Sequence, residues 1–561
     1  MSARKVFVLG LDGATLDIIR DMIGRGKLPA FRRMMQEGAW GNLESVPNQR
    51  SAAAWTTFQT GTNPGKHGIY EFYDYCPESY NLTFINAGIR TGASFWGILG
   101  NKGHKVGVIN VPMTYPAEKV NGFLVAGLDC PSVDSPGFTH PDTLRHRLER
   151  DFGSYTIEPG LTGAIVGGRI DEAVRLIEEE ITQKIEITRS LMRSEPWNLF
   201  VTVLRSLDAV QHTFWKYMDP RHPDHDSTGD MRHATVITDT YEKIDGFLGE
   251  LIGDLDSDTT LLVMSDHGFG PKTAATSQIN PWLASQGLLT YSQHGTSRAT
   301  HVLRSMYGRV VGMTSRRMKE KLWNAFPWLR DRVQSRLCFA GIDWRNTRAY
   351  SDALFANVRV NLRGRERDGI VEPGDEYEEL VSVLVNGIRE LKDTKTGESI
   401  VENVFRKEDI YSGSHTSKAP DILIRWREDI FVTGIAGVEA DIHRTQGGPP
   451  VPGEDPRIIS GDHHLQGILM ARGPDVKAGL ETHGARLMDL APTVLYGMHE
   501  CVPADMDGRV LTELFESGFV ESNPIQLEGA RDKGSPTQSG NYTRAEEEAI
   551  HRRMRDLGYV E

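Results

Sequence analysis

Lys5-Val6-Phe7-Val8-Leu9-Gly10-Leu11-Asp12-Gly13 is a short apolar run that ends on a carboxylate and a turn residue. An apolar run without polar alternation is how a strand covered on both faces reads. After it, Leu16 to Glu37 has helical spacing (Ile18, Ile19, Met22, Ile23, Leu28, Phe31, Met34, Met35), and Gly24, Gly26 and Pro29 divide it into two pieces. The same alternation recurs outward along the chain. Strands are predicted at Lys105 to Val111, Gly122 to Ala126, Asn198 to Leu204, Thr259 to Met264, Asp421 to Ile424 and Gly467 to Ala471. Helices are predicted at Ile170 to Met192, Thr235 to Leu255, Tyr377 to Leu391 and Ala485 to Tyr496. Such alternation predicts an α/β fold, a mostly parallel central sheet flanked by helices, with functional groups gathered at the carboxyl ends of the strands.

The chain has 561 residues, a length compatible with several domains or with one large α/β enzyme. Its formal charge of -13 argues against a general nucleic-acid binder, which works by neutralising phosphates. The 4 cysteines, Cys76, Cys130, Cys338 and Cys501, stand far apart, suggesting neither a zinc knuckle nor a disulfide framework. The first apolar run is too short for a signal peptide, and no stretch of about 18 uninterrupted apolar residues suggests a membrane span, so a cytoplasmic protein is expected.

Two stretches break the rhythm. Residues 291–340 are helix-like and strongly basic, and read as an inserted cap or lid; residues 439–455 are rich in Gly and Pro and read as a long loop. The basic segment raises contact with acidic substrates or a membrane surface, although a cap with solvated charges is the simpler expectation. Residues 521–541 read as a linker, and residues 542–561 as a terminal helix opened by a capping box of Thr543 and Glu546.

Ionisable groups collect where strands are expected to end. Asp12 follows the first strand, and Asp266-His267-Gly268 follows Thr259 to Met264. Asp208 and His212 stand four apart, on one side of a helical turn, after Asn198 to Leu204. His463 and His464 lie in a Gly-bounded loop before Gly467. Singly, each has a structural explanation, Asp12 as a helix N-cap for instance; jointly, they point to metal ligands. Ser51 opens the helical stretch to Gly61, either as an N-cap or as a nucleophile set where backbone N–H groups attract an anion.

In order along the chain, Asp12-Gly13, Ser51, Thr60-Gly61-Thr62-Asn63-Pro64-Gly65-Lys66-His67-Gly68-Ile69, Asp208 with His212, Asp266-His267-Gly268 and His463 ahead of Gly467 resemble the alkaline phosphatase superfamily. The likeness is closest to its type I phosphodiesterase and nucleotide pyrophosphatase branch, and extends over roughly residues 4 to 516. It implies one catalytic domain over residues 1–520 and two divalent cations, Zn²⁺ or alternatively Mn²⁺. Asp208, His212 and His463 would hold one ion, while Asp12, Asp266 and His267 would hold the other, with Ser51 bridging to it as nucleophile. The implied activity is hydrolysis of a small phosphoester or nucleotide through a phosphoserine.

Departures from the family pattern bear on the substrate. Ala54 stands where many relatives have an Asn that contacts a phosphate oxygen, which leaves Asn48, Arg50, Lys66 and Asn110 as candidate donors. The nucleophile is Ser where Thr is usual, and Ser51-Ala52-Ala53-Ala54-Trp55 lacks the modifiable Cys of sulfatases. A phosphomonoesterase or phosphoglycerate-mutase-like phosphotransferase is the alternative enzyme. A catalytically silent scaffold is the alternative of another class, weakened because all seven ligand and nucleophile positions are filled. Oligomeric state is left open.

Overall fold

The computed structural model describes residues 4–554 apart from 79, 226–231, 273–278, 293–338, 340, 352–355, 433, 439–458, 530–541, 544, 545, 548, 551 and 552. A nine-stranded sheet forms its centre. Across it the strands run Leu480–Arg486, Ala39–Glu44, Gln466–Arg472, Thr259–Met264, Lys5–Leu11, Leu199–Leu204, Val106–Val111, Gly122–Ala126 and Thr139–His140. The five from Thr259–Met264 to Gly122–Ala126 are parallel. Gln466–Arg472 is antiparallel to both its neighbours, and Thr139–His140 to Gly122–Ala126. The sheet is therefore mixed but mostly parallel, as expected.

The parallel strands are largely apolar because helices cover both faces. Leu199–Leu204 and Val106–Val111 are buried at every position. The Leu16 to Glu37 stretch folds as two helices, Leu16–Gly24 and Pro29–Glu37, with Gly26 at φ +78° in the break. Pro29 opens the second helix, where its missing N–H has no intrahelical partner to lose.

Two predictions need correction. The strand predicted at Asp421 to Ile424 forms as Ile422–Trp426 but does not join the central sheet. It belongs to a four-stranded antiparallel sheet ordered Ala349–Ser351, Val358–Val360, Ile422–Trp426 and Val401–Arg406. This sheet has its own core, in which Trp282, Tyr350, Leu384, Ile388, Ile422 and Ile424 are buried, with the helix Asp375–Arg389 packed against it. An apolar strand reads alike in either sheet, so its local pattern does not select one. The predicted helix Ala485 to Tyr496 divides: Arg486 ends an edge strand paired with Glu44, Asp489 accepts from the Arg486 N–H at 2.9 Å, and the α-helix begins at Leu490.

Of the basic segment 291–340, residues 293–338 and 340 lie outside the described residues, as does the whole loop 439–455. The ends of the basic segment are paired, Tyr291 bridging to Ile342 and the Ser292 N–H donating to the Gly341 carbonyl at 2.8 Å, so the chain leaves and re-enters the fold at one point. The expected linker from residue 521 begins with structure: the helix Ser517–Ser522 ends within it, and Leu527–Glu528 pairs with Val502–Pro503. The terminal segment docks on its own chain. Tyr542 donates to the Asp129 carbonyl at 2.7 Å, Arg553 donates to the carbonyls of Leu128, Cys130 and Pro131, and Ile550 and Met554 are buried. Among the described residues no helix is long and apolar enough to cross a membrane.

Candidate functional site

Strand register brings the first three carboxylates together. Lys5–Leu11 lies between Leu199–Leu204 and Thr259–Met264, with Leu11 opposite Leu204 and Gly10 opposite Met264. Three parallel strands thus end at one level, and the residues just beyond them, Asp12, Asp266 and Asp208 in the first turn of the helix Ser206–Met218, meet at that edge. His212 follows one turn later. His463 arrives by another route: Gly461–His464 pairs antiparallel with Gly268–Pro271, placing His463 opposite Phe269. Neighbouring strand residues face opposite sides, so His464 turns away and lies 3.5 Å from Glu428.

Two glycines make this edge possible. A Cβ on Gly10 would lie 2.7 Å from the Trp55 ring, which packs on the strand and donates its indole N–H to Asp12 at 3.3 Å. Gly13 turns the chain away from Asp12 at φ +74°, a region open to glycine at no steric cost.

The side chains form two groups of potential metal ligands, Asp208–His212–His463 and Asp12–Asp266–His267. In the first, Asp208 Oδ1 lies 3.1 Å from His463 Nε2 and 3.3 Å from His212 Nε2, and the two Nε2 atoms are 3.1 Å apart. In the second, His267 Nε2 lies 3.4 Å from Asp12 and 3.3 Å from Asp266. The rings of His267 and His463 stack at 3.7 Å, so the groups are adjacent.

All three imidazoles are oriented alike. The Nδ1–H of His463 donates to the Gln49 carbonyl at 2.7 Å, that of His212 to Gly461 at 3.0 Å and that of His267 to Gly268 at 2.9 Å. A carbonyl only accepts, so Nδ1 carries the proton and each Nε2 lone pair faces inward, the tautomer a metal ligand needs. Two Nε2 lone pairs and a carboxylate at this range repel unless a proton or a cation sits among them.

The carboxylates report the same imbalance. Burial, then the charge of Asp208, pushes Asp12 up to about 7, against which Arg205 and Trp55 work. Burial, then Asp12 and Asp208, holds Asp266 well above the usual carboxylate range. For Asp208 burial acts upward too, but His212 and His463 outweigh it and hold it well below. Burial pushes His267 well below its ordinary value. Asp12 Oδ1 and Asp266 Oδ2 are buried and receive no hydrogen bond among the described residues. Buried carboxylate oxygens without donors, beside inward imidazole nitrogens, fit divalent cations.

Ser51 is the first residue of the fully buried helix Ser51–Thr60, and Arg50, with extended backbone, is the N-cap. Ser51 Oγ lies 3.2 Å from His267 Nε2, at the edge of the second group. The other four candidate donors are placed differently. Asn48 donates to the Tyr70 carbonyl at 3.0 Å and Asn110 to the Val203 carbonyl at 2.9 Å. Lys66 pairs with Asp507 and donates to the Asp505 carbonyl at 2.9 Å, engaging its ammonium in the turn that holds Asn63. Arg50 lies 3.8 Å from Glu71, directly before Ser51.

A model of the type I phosphodiesterase / nucleotide pyrophosphatase family matches residues 6–449. The chain belongs to this family. Membership places it among phosphoester hydrolases, and the matched span includes every candidate site residue except His463. Among solved structures, phosphonoacetate hydrolase from Sinorhizobium meliloti 1021 in complex with phosphonoformate is 15% identical, with a TM-score of 0.51 over 88% of this chain and 95% of that one. An inactive variant of murine ectonucleotide pyrophosphatase / phosphodiesterase 5 in complex with AMP is 14% identical, with a TM-score of 0.49 over 91% and 100%. Likeness at this identity is one of fold alone. No curated protein matches the sequence.

Residue spacing did not point to Trp55, Arg205 or Gln49. Arg205 is buried with Nε 3.8 Å from Asp12 Oδ2, the oxygen that also receives the Trp55 N–H. One signal was available: Trp55 stands four residues after Ser51, on the same face of that helix.

Proposed function

We propose that the protein hydrolyses phosphodiester or pyrophosphate bonds of small, nucleotide-like substrates, using two divalent cations and a phosphoserine formed on Ser51. The observation that carries this reading is the placement of Ser51 Oγ, at a helix N-terminus and 3.2 Å from His267 Nε2, with the second ligand group stacked alongside through His463. Asp208, His212 and His463 would hold one ion, and Asp12, Asp266 and His267 the other, with Ser51 reaching toward it. Carboxylates mixed with imidazoles favour Zn²⁺, and Mn²⁺ is the competitor. When bound, the ions supply Lewis acidity, lowering the pKa of a hydroxyl and neutralising charge on phosphoryl oxygens.

The protein's own groups do the rest. Ser51 Oγ attacks phosphorus in line while the bond to the leaving oxygen breaks opposite it. The first N–H groups of the Ser51–Thr60 helix face the phosphoryl oxygens, an arrangement suited to charge that grows in the transition state. Arg50 is the cation nearest in sequence to the nucleophile and is proposed as the clamp on a non-bridging oxygen. Water then cleaves the phosphoserine by a second in-line displacement, so configuration at phosphorus is retained overall. Residues 1–520 act as one catalytic unit, because the ligands span Asp12 to His463.

The test compares turnover of a nitrophenyl nucleotide diester with that of nitrophenyl phosphate, before and after chelation and Zn²⁺ or Mn²⁺ addition. Diester preference with metal-dependent recovery is expected. Preference for the monoester would put the phosphomonoesterase reading in its place, and less than one bound ion per chain would favour a silent scaffold.

A further inference from the structure

Glu428 lies two residues beyond the strand Ile422–Trp426, whose Ile422 and Ile424 belong to the second core, yet its carboxylate reaches the segments that hold His463. Oε1 accepts the Leu465 N–H at 2.6 Å and the Gln49 side-chain amide at 3.4 Å, and Oε2 lies 3.5 Å from His464 Nδ1. Both partners of Oε1 bear on the candidate metal ligand. Gln49 offers the carbonyl that accepts the His463 Nδ1–H at 2.7 Å, and stands two residues before Ser51. Leu465 follows the strand that carries His463, and its carbonyl accepts the Ser45 N–H at 2.9 Å. Ser45 Oγ in turn donates to the Asp266 carbonyl at 2.5 Å.

Gln49 does not hold this pose by backbone preference. Its φ is +51°, a left-handed conformation that a residue with a Cβ adopts only where its surroundings impose it. Its own N–H donates back to Val46 at 2.9 Å and its amide meets Glu428, so the turn is tied at both ends with the carbonyl aimed at His463. The bond from Leu465 to a carboxylate is charge-assisted, stronger than the neutral alternative.

We propose that Glu428 is a positioning residue: from the second sheet it clamps Gln49 and Leu465, fixing the His463 ring and the entry to the Ser51 helix. This rests on the metal reading above. Partners of this kind typically alter metal affinity 10- to 100-fold when removed, by freeing the ligand they orient.

The test uses the full chain with Glu428→Ala, Glu428→Gln and Gln49→Ala. Zn²⁺ affinity is read by competition with a chromophoric chelator, and kcat and KM with the nitrophenyl diester. Glu428→Ala is expected to weaken one of the two ions about 10- to 100-fold and to lower kcat more than it raises KM. Glu428→Gln keeps an oxygen for Leu465 and Gln49, and is expected to recover most of that affinity. Gln49→Ala keeps the carbonyl but loses the tie, and is expected to fall between; it decides the matter if Glu428→Ala does not fold. Parent-like affinity for both ions in Glu428→Ala and Gln49→Ala overturns the proposal, as does a Glu428→Gln protein as weak as Glu428→Ala. Asp208→Asn serves as reference: if it too leaves Zn²⁺ binding unchanged, the metal reading itself has failed, a result distinct from loss of binding in Asp208→Asn alone.

Discussion

Metal binding by the Asp12–Asp266–His267 group should fall steeply as pH drops from 8 to 6. Ligand carboxylates must be ionised, so an ion competes with protons for them. In the metal-free protein Asp12 titrates at about 7, pushed up by burial and by Asp208, and Asp266 lies well above the usual carboxylate range for the same reasons. At pH 8 Asp12 is about nine-tenths ionised and at pH 6 about one-tenth, which alone costs roughly tenfold in affinity, or about 1.4 kcal/mol. Asp266, raised by burial, Asp12 and Asp208, also holds a proton against the ion and adds to the loss in the same direction. Together the two predict a loss of at least about tenfold at this group. The other group responds through a different residue, since Asp208 is held well below the ordinary carboxylate value and His212, raised by Asp208 against its burial, competes with the ion. Zn²⁺ titration calorimetry at pH 6, 7 and 8, in buffers of different ionisation enthalpy, would count the protons released. Affinity that is flat between pH 6 and 8, with no proton release, would refute the reasoning.

The same carboxyl affects stability. A group raised from 3.8 to about 7 stabilises the folded protein below its unfolded pKa, and that contribution is lost as pH rises through 7; metal-free protein should therefore melt lower at pH 8 than at pH 6, with added Zn²⁺ closing the gap. Ser51→Ala, a small change at a buried site, should leave the melting temperature of the metal-free protein close to the parent's and cut diester turnover by at least about 10³-fold; residual activity near parent would exclude Ser51 as nucleophile. Asp421→Ala removes a buried carboxylate that meets Arg365 through both oxygens and also Lys407, and should cost about 3–5 kcal/mol in denaturant unfolding. Ending the chain at residue 541 exposes the surface covered by Tyr542, Ile550 and Met554 and should destabilise by about 4 kcal/mol or more, read as a lower melting temperature.

The α/β class was legible because buried parallel strands and their covering helices leave local signatures: Val6 to Leu11 carries no polar side chain, and Leu16 to Glu37 keeps helical spacing on both sides of its glycines. The site was partly legible for a related reason. Asp12, Asp208 and Asp266 each follow an apolar run, and parallel strands that start level also end level. What periodicity reports is the face a residue buries, not the partner it is buried against. The run at Asp421 therefore reads as a strand in either sheet, and only the packing of Ile422 and Ile424 assigns it to the second core. Ala485 and Arg486 likewise satisfy a helical pattern, and only pairing with Ala39–Glu44 draws them into an edge strand.

The inventory of groups was written in the sequence: three carboxylates, three imidazoles and a hydroxyl, in an order that resembles one family. Their orientation was not. Carbonyls of Gln49, Gly461 and Gly268 decide which imidazole nitrogen faces inward, and a carbonyl is present at every residue, so no side-chain pattern marks these three. Glu428 and Gln49 are 379 residues apart and meet only because two separate sheets pack beside one edge. A contact across that distance leaves no trace in local spacing, because the chain between can be any length that closes the loop.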